Sequence, residues 1–508
     1  MGLAVVYTRA LLGLEAPQVQ VEVNVARGIS HFQIIGMPET TVREAKDRVR
    51  TALLNSNYEF PIGRITVNLS PAELPKQGAR YDLAIALGVL VASGQLDDDS
   101  CDNLECYGEL ALDGALRPVQ GTIPSLMACQ RQQRKAIIPA ANASEAGLLR
   151  SALAFAMPTL NAVVDHIRGN RKTSAVKPHA LQLRQNSHGD MSDVKGQEQA
   201  KRALLLAAAG GHNILFVGPP GTGKTMLAQR MLSLMSALSE EDGLEVAAIQ
   251  SISGQPFAAE HWRQRPFRNP HHSCSAAALV GGGSIPKPGE ITLAHKGLLF
   301  LDELAEIPRH ILDSLREPLE SGQVCISRAQ HSTTYPARFQ LICALNPSPC
   351  GSFDGDIGSA RATPDQILNY LSKISGPFLD RIDLQVDVPR QPEVLRAEQS
   401  SVKVHTSAEL RLLVEQTQEI QLQRQGCLNS MIPASDIAGQ CQLLPQDHEF
   451  LVQAIEKLKL SHRAYHRIMR LARTIADLQE SSCVQRKHLA EAMSYRALDA
   501  LLKQLRNL

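Results

Sequence analysis

NILFVGPPGTGKTMLAQRML, residues 213–232, reads as a strand, a glycine-rich loop and a helix in succession. The strand is expected over 213–217 and the helix over 225–234. Between them Gly218, Gly223, Lys224 and Thr225 fit the pattern GxxxxGK[ST]. Glycines let backbone N–H groups close around phosphates, and the helix N-terminus adds its positive end. Lys224 then reaches the β- and γ-phosphates of ATP, and Thr225 places its hydroxyl on Mg²⁺. The whole loop, with Pro219, Pro220, Gly221 and Thr222, is the expected nucleotide seat. An eight-residue match can arise by accident. The flanking strand and helix make it specific.

Working outward, GLLFLDEL (297–304) supplies a buried strand that ends in Asp302 and Glu303. Asp302 is placed to hold Mg²⁺ through its water shell, and Glu303 to polarise an attacking water. FQLICALNPSP (339–349) is a further strand ending at Asn346. That amide can orient the water or touch the γ-phosphate; otherwise it only starts the turn at Pro347. In GPFLDRIDL (376–384), Arg381 sits between Asp380 and Asp383. Its guanidinium can stabilise transition-state charge or form a local ion pair. In SHRAYHRIMRLARTIADL (461–478), Arg463, Arg467 and Arg470 recur at i, i+4, i+7, opposite Ile468, Leu471 and Ile475. Such a row suits phosphate sensing or a solvated basic face.

The chain has 508 residues and a net charge of +1, with 20% charged and 4% aromatic residues. Total charge does not demand a nucleic-acid partner, and one Trp leaves little for base-stacking platforms. The ten cysteines have no CxxC spacing, which points to reduced thiols rather than a disulfide framework. No signal-peptide layout occurs, and the longest apolar stretch, 83–92, is too short to span a bilayer. A cytoplasmic location is expected.

An α/β multidomain fold follows. Residues 1–170 form a separate α/β domain, with strand-like runs at 4–7, 19–25, 32–35, 65–69 and 136–139 and helical patterns between them. In TTVREAKDRVRTALLNS (40–56) the Thr pair is expected to cap the helix. Polar, aperiodic residues 171–191 read as a linker. Residues 192–390 are the nucleotide-binding core, and 391–508 turn helical. SGQVCISRAQHSTTYPARF (321–339) alternates like a β-hairpin with a basic, polar tip.

Together and in this order, these motifs resemble an AAA+ ATPase. More specifically, the chain resembles the ComM/YifB family of magnesium-chelatase-like AAA+ proteins over nearly its whole length. NPHHSCSAAALVGGG (269–283), PKPGEITLAHKGLLFLDELAE (286–306), ISGPFLDRIDL (374–384) and SHRAYHRIMRLARTIADL carry that resemblance. It implies a helix insertion around 276–294, a pre-sensor-1 hairpin at 321–339 and a helical lid at the C-terminus. It makes Asn346 sensor 1, Arg381 an arginine finger donated to the adjacent subunit, and Arg463 the sensor-2 arginine, with Arg470 as the other candidate. It implies a homo-hexameric ring acting on DNA, with branch migration of joint molecules during homologous recombination and natural transformation. Recombination proteins are then possible partners. The hairpin would grip the polymer through Arg328, Gln330 and His331, or else contact a neighbouring subunit.

The N-terminal segment resembles the Lon-type protease fold (ribosomal S5 domain 2-like). PKQGARYDLAIALGVL (75–90) carries Ala79, Arg80 and Tyr81 where such a protease has its serine, and GALRPVQGTIPSLMACQ (114–130) has no lysine. A Ser–Lys dyad needs both a nucleophile and its base, so proteolysis is not expected. Some relatives carry a cysteine cluster after the sensor-1 NP, but here only Cys350 remains, so no metal site is expected there. A chelatase-type subunit driving a protein partner is the rival reading. No DxSxS metal-site run occurs in the chain. A scaffold that merely binds ATP would not need Glu303 and Arg381.

Overall fold

The computed structural model describes residues 2–179, 189–255, 261–283, 286–327, 332–349, 362–391, 405–458 and 460–506. Two compact units are present: Met1–Arg184 with Ser239–Arg263 and Ser327–Tyr335, and Gln185–Leu238 with Gln264–Ile326 and Pro336–Leu508.

The first unit is built on a mixed seven-stranded sheet. Its strands are β1 (Leu3–Arg9), β2 (Gln18–Ala26), β3 (His31–Ile35), β4 (Arg64–Ser70), β5 (Leu104–Cys106), β6 (Lys135–Pro139) and β7 (Ala154–Met157), in the order β3-β4-β2-β1-β5-β6-β7. QVQVEVNVA in β2 alternates strictly, and Val19, Val21, Val23 and Val25 all face the core. The helix Asp82–Ala92 is apolar all round and wholly buried against that face. Gly88 permits the approach, since a Cβ there would lie 2.5 Å from Val23 Cγ2. At the helix start, buried Asp82 takes a hydrogen bond from Arg48 Nε at 2.7 Å.

The two stretches singled out as the place of an absent catalytic dyad do meet. Arg80 Nη2 donates to Ser125 Oγ at 2.6 Å, with both side chains buried. A guanidinium therefore fills the spot, and burial lowers its pKa. Helix Glu240–Ser253 also belongs to this unit, which its sequence did not signal: Ile123 N donates to Ser251 Oγ at 3.4 Å, and Ser251 Oγ donates to Glu145. The Thr pair at 40–41 does not cap. The chain turns one residue earlier, with the Glu39 carbonyl accepting from the N–H groups of Val42 and Arg43, and the helix restarts as Ala45–Asn55.

The second unit contains a parallel sheet of β8 (Ile214–Val217), β9 (Phe267–Arg268), β10 (Leu298–Leu301), β11 (Gln340–Leu345) and β12 (Leu384–Asp387), ordered β9-β10-β11-β8-β12. The runs ILFV, LLFL and QLICAL are buried along their full length, as strands covered on both faces must be. Register pairs Val217 with Leu345 and Leu301 with Cys343. The C-terminal ends of β10, β11 and β8 therefore lie side by side, where open α/β sheets bind their ligands.

At the place of the expected helix insertion lie two short helices, Ala276–Val280 and Glu290–Leu293, flanking a minimal hairpin of Gly281–Gly282 with Lys287–Pro288. Three glycines in a row at positive φ, Gly281 to Gly283, break the first helix. Gln323–Ser327 and Ser332–Pro336 pair as the second hairpin, with Val324 and Ile326 buried. Arg328, Gln330, His331 and Cys350 lie outside the described residues.

The C-terminal helices Ser407–Gln425, Pro445–Leu458, His462–Leu478 and Arg486–Ser494 complete this unit. Their polar centre is Asp477, 2% exposed. It accepts from Arg424 at 2.6 and 3.0 Å, from Arg473 at 3.1 and 2.8 Å, and from Asn429 at 2.8 Å. Among the described residues no helix is long and apolar enough to cross a membrane.

Removing this carboxylate leaves Arg473, itself 1% exposed, as an uncompensated buried cation. Asp477→Ala should therefore lower the stability of this unit by ~3–5 kcal/mol. Differential scanning calorimetry should show a lower melting transition for this unit, with that of the N-terminal unit unchanged.

Candidate active site

Three different constraints shape the glycine-rich loop. Gly218 has no room for a side chain: a Cβ would lie 2.3 Å from the Val388 carbonyl oxygen. Gly221 and Gly223 have open space but left-handed backbones, φ 80° and 90°, so they are there for conformation. Thr222 Oγ1 closes the loop on the Pro219 carbonyl at 3.0 Å. The helix Lys224–Leu234 starts directly after Gly223, so its first N–H groups face the loop.

Lys224 is buried, and its Nζ donates to the carbonyls of Gly218 and Pro219 at 2.8 Å each and to Asn346 Oδ1 at 3.1 Å. Burial lowers its pKa, and the Asp302 carboxylate opposes the shift. Thr225 Oγ1 donates to Asp302 Oδ2 at 3.0 Å. This hydroxyl and carboxylate are hard oxygen donors of the kind Mg²⁺ takes, and both are exposed enough to leave water in the remaining positions. They fit the ion that the motif implies.

Glu303 follows Asp302 with φ 50°, and its N–H donates to Asp302 Oδ1 at 2.8 Å. The Glu303 carboxylate meets His272 Nδ1 at 3.0 Å. His272 is a site residue that residue-by-residue reading missed. Its signal is the histidine pair inside NPHHSCSAAALVGGG, a stretch that carries the family resemblance without giving its histidines a role.

The structure thus brings together Lys224, Thr225, Asp302, Glu303 and Asn346. Neither Arg381 nor Arg463 makes a hydrogen bond or ion pair with any of these five. Arg381 turns to its own surroundings: Nε donates to the Arg316 carbonyl at 3.2 Å, Nη1 to the Pro377 carbonyl, and Nη2 to Glu320. Burial lowers its pKa while Glu320 raises it, and Arg463 is among the nearby cations that lower it further. Arg463 itself is exposed. The arginine row is not one solvated face. Arg467 is 6% exposed, and Arg470 spends its Nε and Nη2 on the Ile432 carbonyl at 3.0 and 2.7 Å.

A phosphate-binding loop, an acid pair and a polar strand end on adjacent strands of a parallel sheet define a P-loop ATPase. The comparisons give its class, that of the magnesium chelatases. Residues 190–395 match the family described as magnesium chelatase, subunit ChlI; residues 21–142 match subunit ChlI of Mg-chelatase; and residues 404–496 match its C-terminal part. Competence protein ComM of Haemophilus influenzae is 48% identical over 512 residues, covering 100% of both chains. The uncharacterized protein YifB of Escherichia coli is 48% identical over 508 residues, again covering 100% of both. The magnesium-chelatase 38 kDa subunit of Cereibacter sphaeroides is 28% identical over 178 residues, 31% of this chain and 52% of that one. The chain belongs to the ComM/YifB family of magnesium-chelatase-like ATPases.

Lys224→Ala removes the ammonium at the centre of the loop and should abolish binding of a fluorescent ATP analogue. Glu303→Gln keeps the shape and loses the carboxylate. It should retain nucleotide binding while steady-state turnover falls by roughly 10²–10⁴-fold.

Proposed function

We propose that this protein is an ATP-driven motor acting on DNA, a branch-migration helicase that works on joint molecules in homologous recombination and natural transformation. The observation that carries the motor reading is the pair of contacts Lys224–Asn346 and Thr225–Asp302 at the phosphate-binding loop, with Glu303 next in sequence to Asp302. The DNA reading is supported by full-length relatedness to a protein named for competence.

In this reading the loop N–H groups and Lys224 hold the β- and γ-phosphates. Thr225 and Asp302 hold Mg²⁺, which when bound neutralises phosphate charge. Glu303 takes the proton of the attacking water, and Asn346 orients that water as sensor 1. Arg381 is the charge missing from this set. It serves a neighbouring subunit, so the working form is an oligomer, which the family resemblance makes a homo-hexameric ring. Arg463, exposed on the lid helix, is the sensor-2 arginine. The hairpin residues Arg328, Gln330 and His331 contact the DNA backbone. The cytoplasm is the proposed compartment.

A chelatase-like motor on a protein partner is the second reading, favoured by three family matches that all bear the magnesium-chelatase description.

The deciding experiment mixes the purified protein with a labelled four-way DNA junction, ATP and Mg²⁺, alongside linear single- and double-stranded DNA. ATP-dependent junction movement that Lys224→Ala abolishes is expected. Active ATPase with no DNA bound or moved would transfer the case to the protein-partner motor. Arg381→Ala should bind nucleotide but turn over poorly, and mixing it with Glu303→Gln subunits should restore part of the activity.

A further inference from the structure

We propose that Arg467, on the lid helix His462–Leu478, is the positioning residue for Arg381, fixing the loop from which that arginine reaches a neighbouring subunit. The proposal rests on the reading of Arg381 as an arginine acting between subunits.

The short helix Gly376–Leu379 ends just before Arg381, and Arg467 reaches the main chain on both sides of that arginine. Arg467 Nη1 donates to the Leu379 carbonyl at 3.1 Å and to the Ile382 carbonyl at 2.5 Å, and its Nη2 donates to Asp380 Oδ1 at 2.9 Å. These three residues bracket Arg381 on both sides. From the opposite direction, Asn213 Nδ2 donates to the Arg381 carbonyl at 2.9 Å, and the Asn213 N–H donates to Asp383 Oδ2 at 3.0 Å. Asn213 immediately precedes β8, the strand that leads into the phosphate-binding loop. Seven residues along the lid helix, Thr474 Oγ1 hydrogen-bonds His212 Nε2 at 2.8 Å. The Arg381 loop is therefore clamped between the lid helix and the root of the nucleotide loop.

Packing alone does not call for a cation here. A buried guanidinium is costly to desolvate, and an apolar side chain of similar volume is often as stable. What the planar fork adds is direction: it holds two carbonyls and a carboxylate at fixed angles. Misplacing a reacting group by about 1 Å can cost 10²-fold in rate. Arg467 thus acts on hydrolysis through the placement of Arg381.

Subunit mixing tests this directly. Lys224→Ala subunits have a dead site but an intact Arg381, whereas Arg381→Ala subunits have an intact site and nothing to donate. Arg467→Met should turn over roughly 10²-fold more slowly with unchanged ATP-analogue affinity. Mixing it with Lys224→Ala should recover activity, and mixing it with Arg381→Ala should not. The reverse pattern would mean that Arg467 serves its own subunit's nucleotide, and recovery with neither or with both would make its role structural; each overturns the proposal. If Arg467→Met does not assemble, Asp380→Asn removes its carboxylate partner at the surface and should show the same pattern more weakly. The control mixture of Arg381→Ala with Lys224→Ala must recover activity. If it does not, the reading of Arg381 fails, and the proposal falls with it. If the control recovers while the Arg467→Met mixtures depart from expectation, the role of Arg467 alone is refuted.

Discussion

The ammonium of Lys224 ties two neighbouring strands together. It is anchored to the carbonyls that follow β8 and to the amide that ends β11. This contact requires both strands to run the same way and to end at the same level, which the pairing of Val217 with Leu345 provides. It also requires a backbone that doubles back tightly after β8, which is why Gly218 can lie against the Val388 carbonyl without a side chain. The acid pair then arrives on β10 at the adjacent position. Much of the second unit can be understood as scaffolding for that one geometry: buried apolar strands fix the level, and the helix behind the loop fixes the direction of its N–H groups.

The N-terminal unit follows different rules. Its sheet is mixed, with alternating β2 facing a helix that is apolar on all sides. At the place where its resemblance would put a nucleophile and a base lies a buried Arg80–Ser125 pair. In that pair the Ser125 hydroxyl is buried and accepts from a guanidinium.

What could be read in the sequence was local. Residues 213–232 give strand, loop and helix because apolar runs, glycines and Lys-Thr all fall within one short window, and the acid pair and Asn346 each end a short apolar run. What could not be read depends on contacts far along the chain. His272 meets Glu303 across 31 positions of sequence, and no periodicity signals such a meeting. The row of three arginines fits a solvated face and a set of buried struts equally well, because spacing fixes the side of a helix and not what covers it. Only the folded chain shows that Arg467 and Arg470 bond main-chain carbonyls while Arg463 stays exposed. The packing of Glu240–Ser253 on the N-terminal unit was hidden for the same reason.

Asp477 has a mechanical implication. One carboxylate holds guanidinium groups from the helices Ser407–Gln425 and His462–Leu478 and also the amide of Asn429 between them. Sliding either helix past the other would pull Arg424 away from Asp477 and leave a partly buried guanidinium without its carboxylate. This carboxylate therefore acts as a fastener: it fixes the register of the two helices where they cross and ties the turn between them to both.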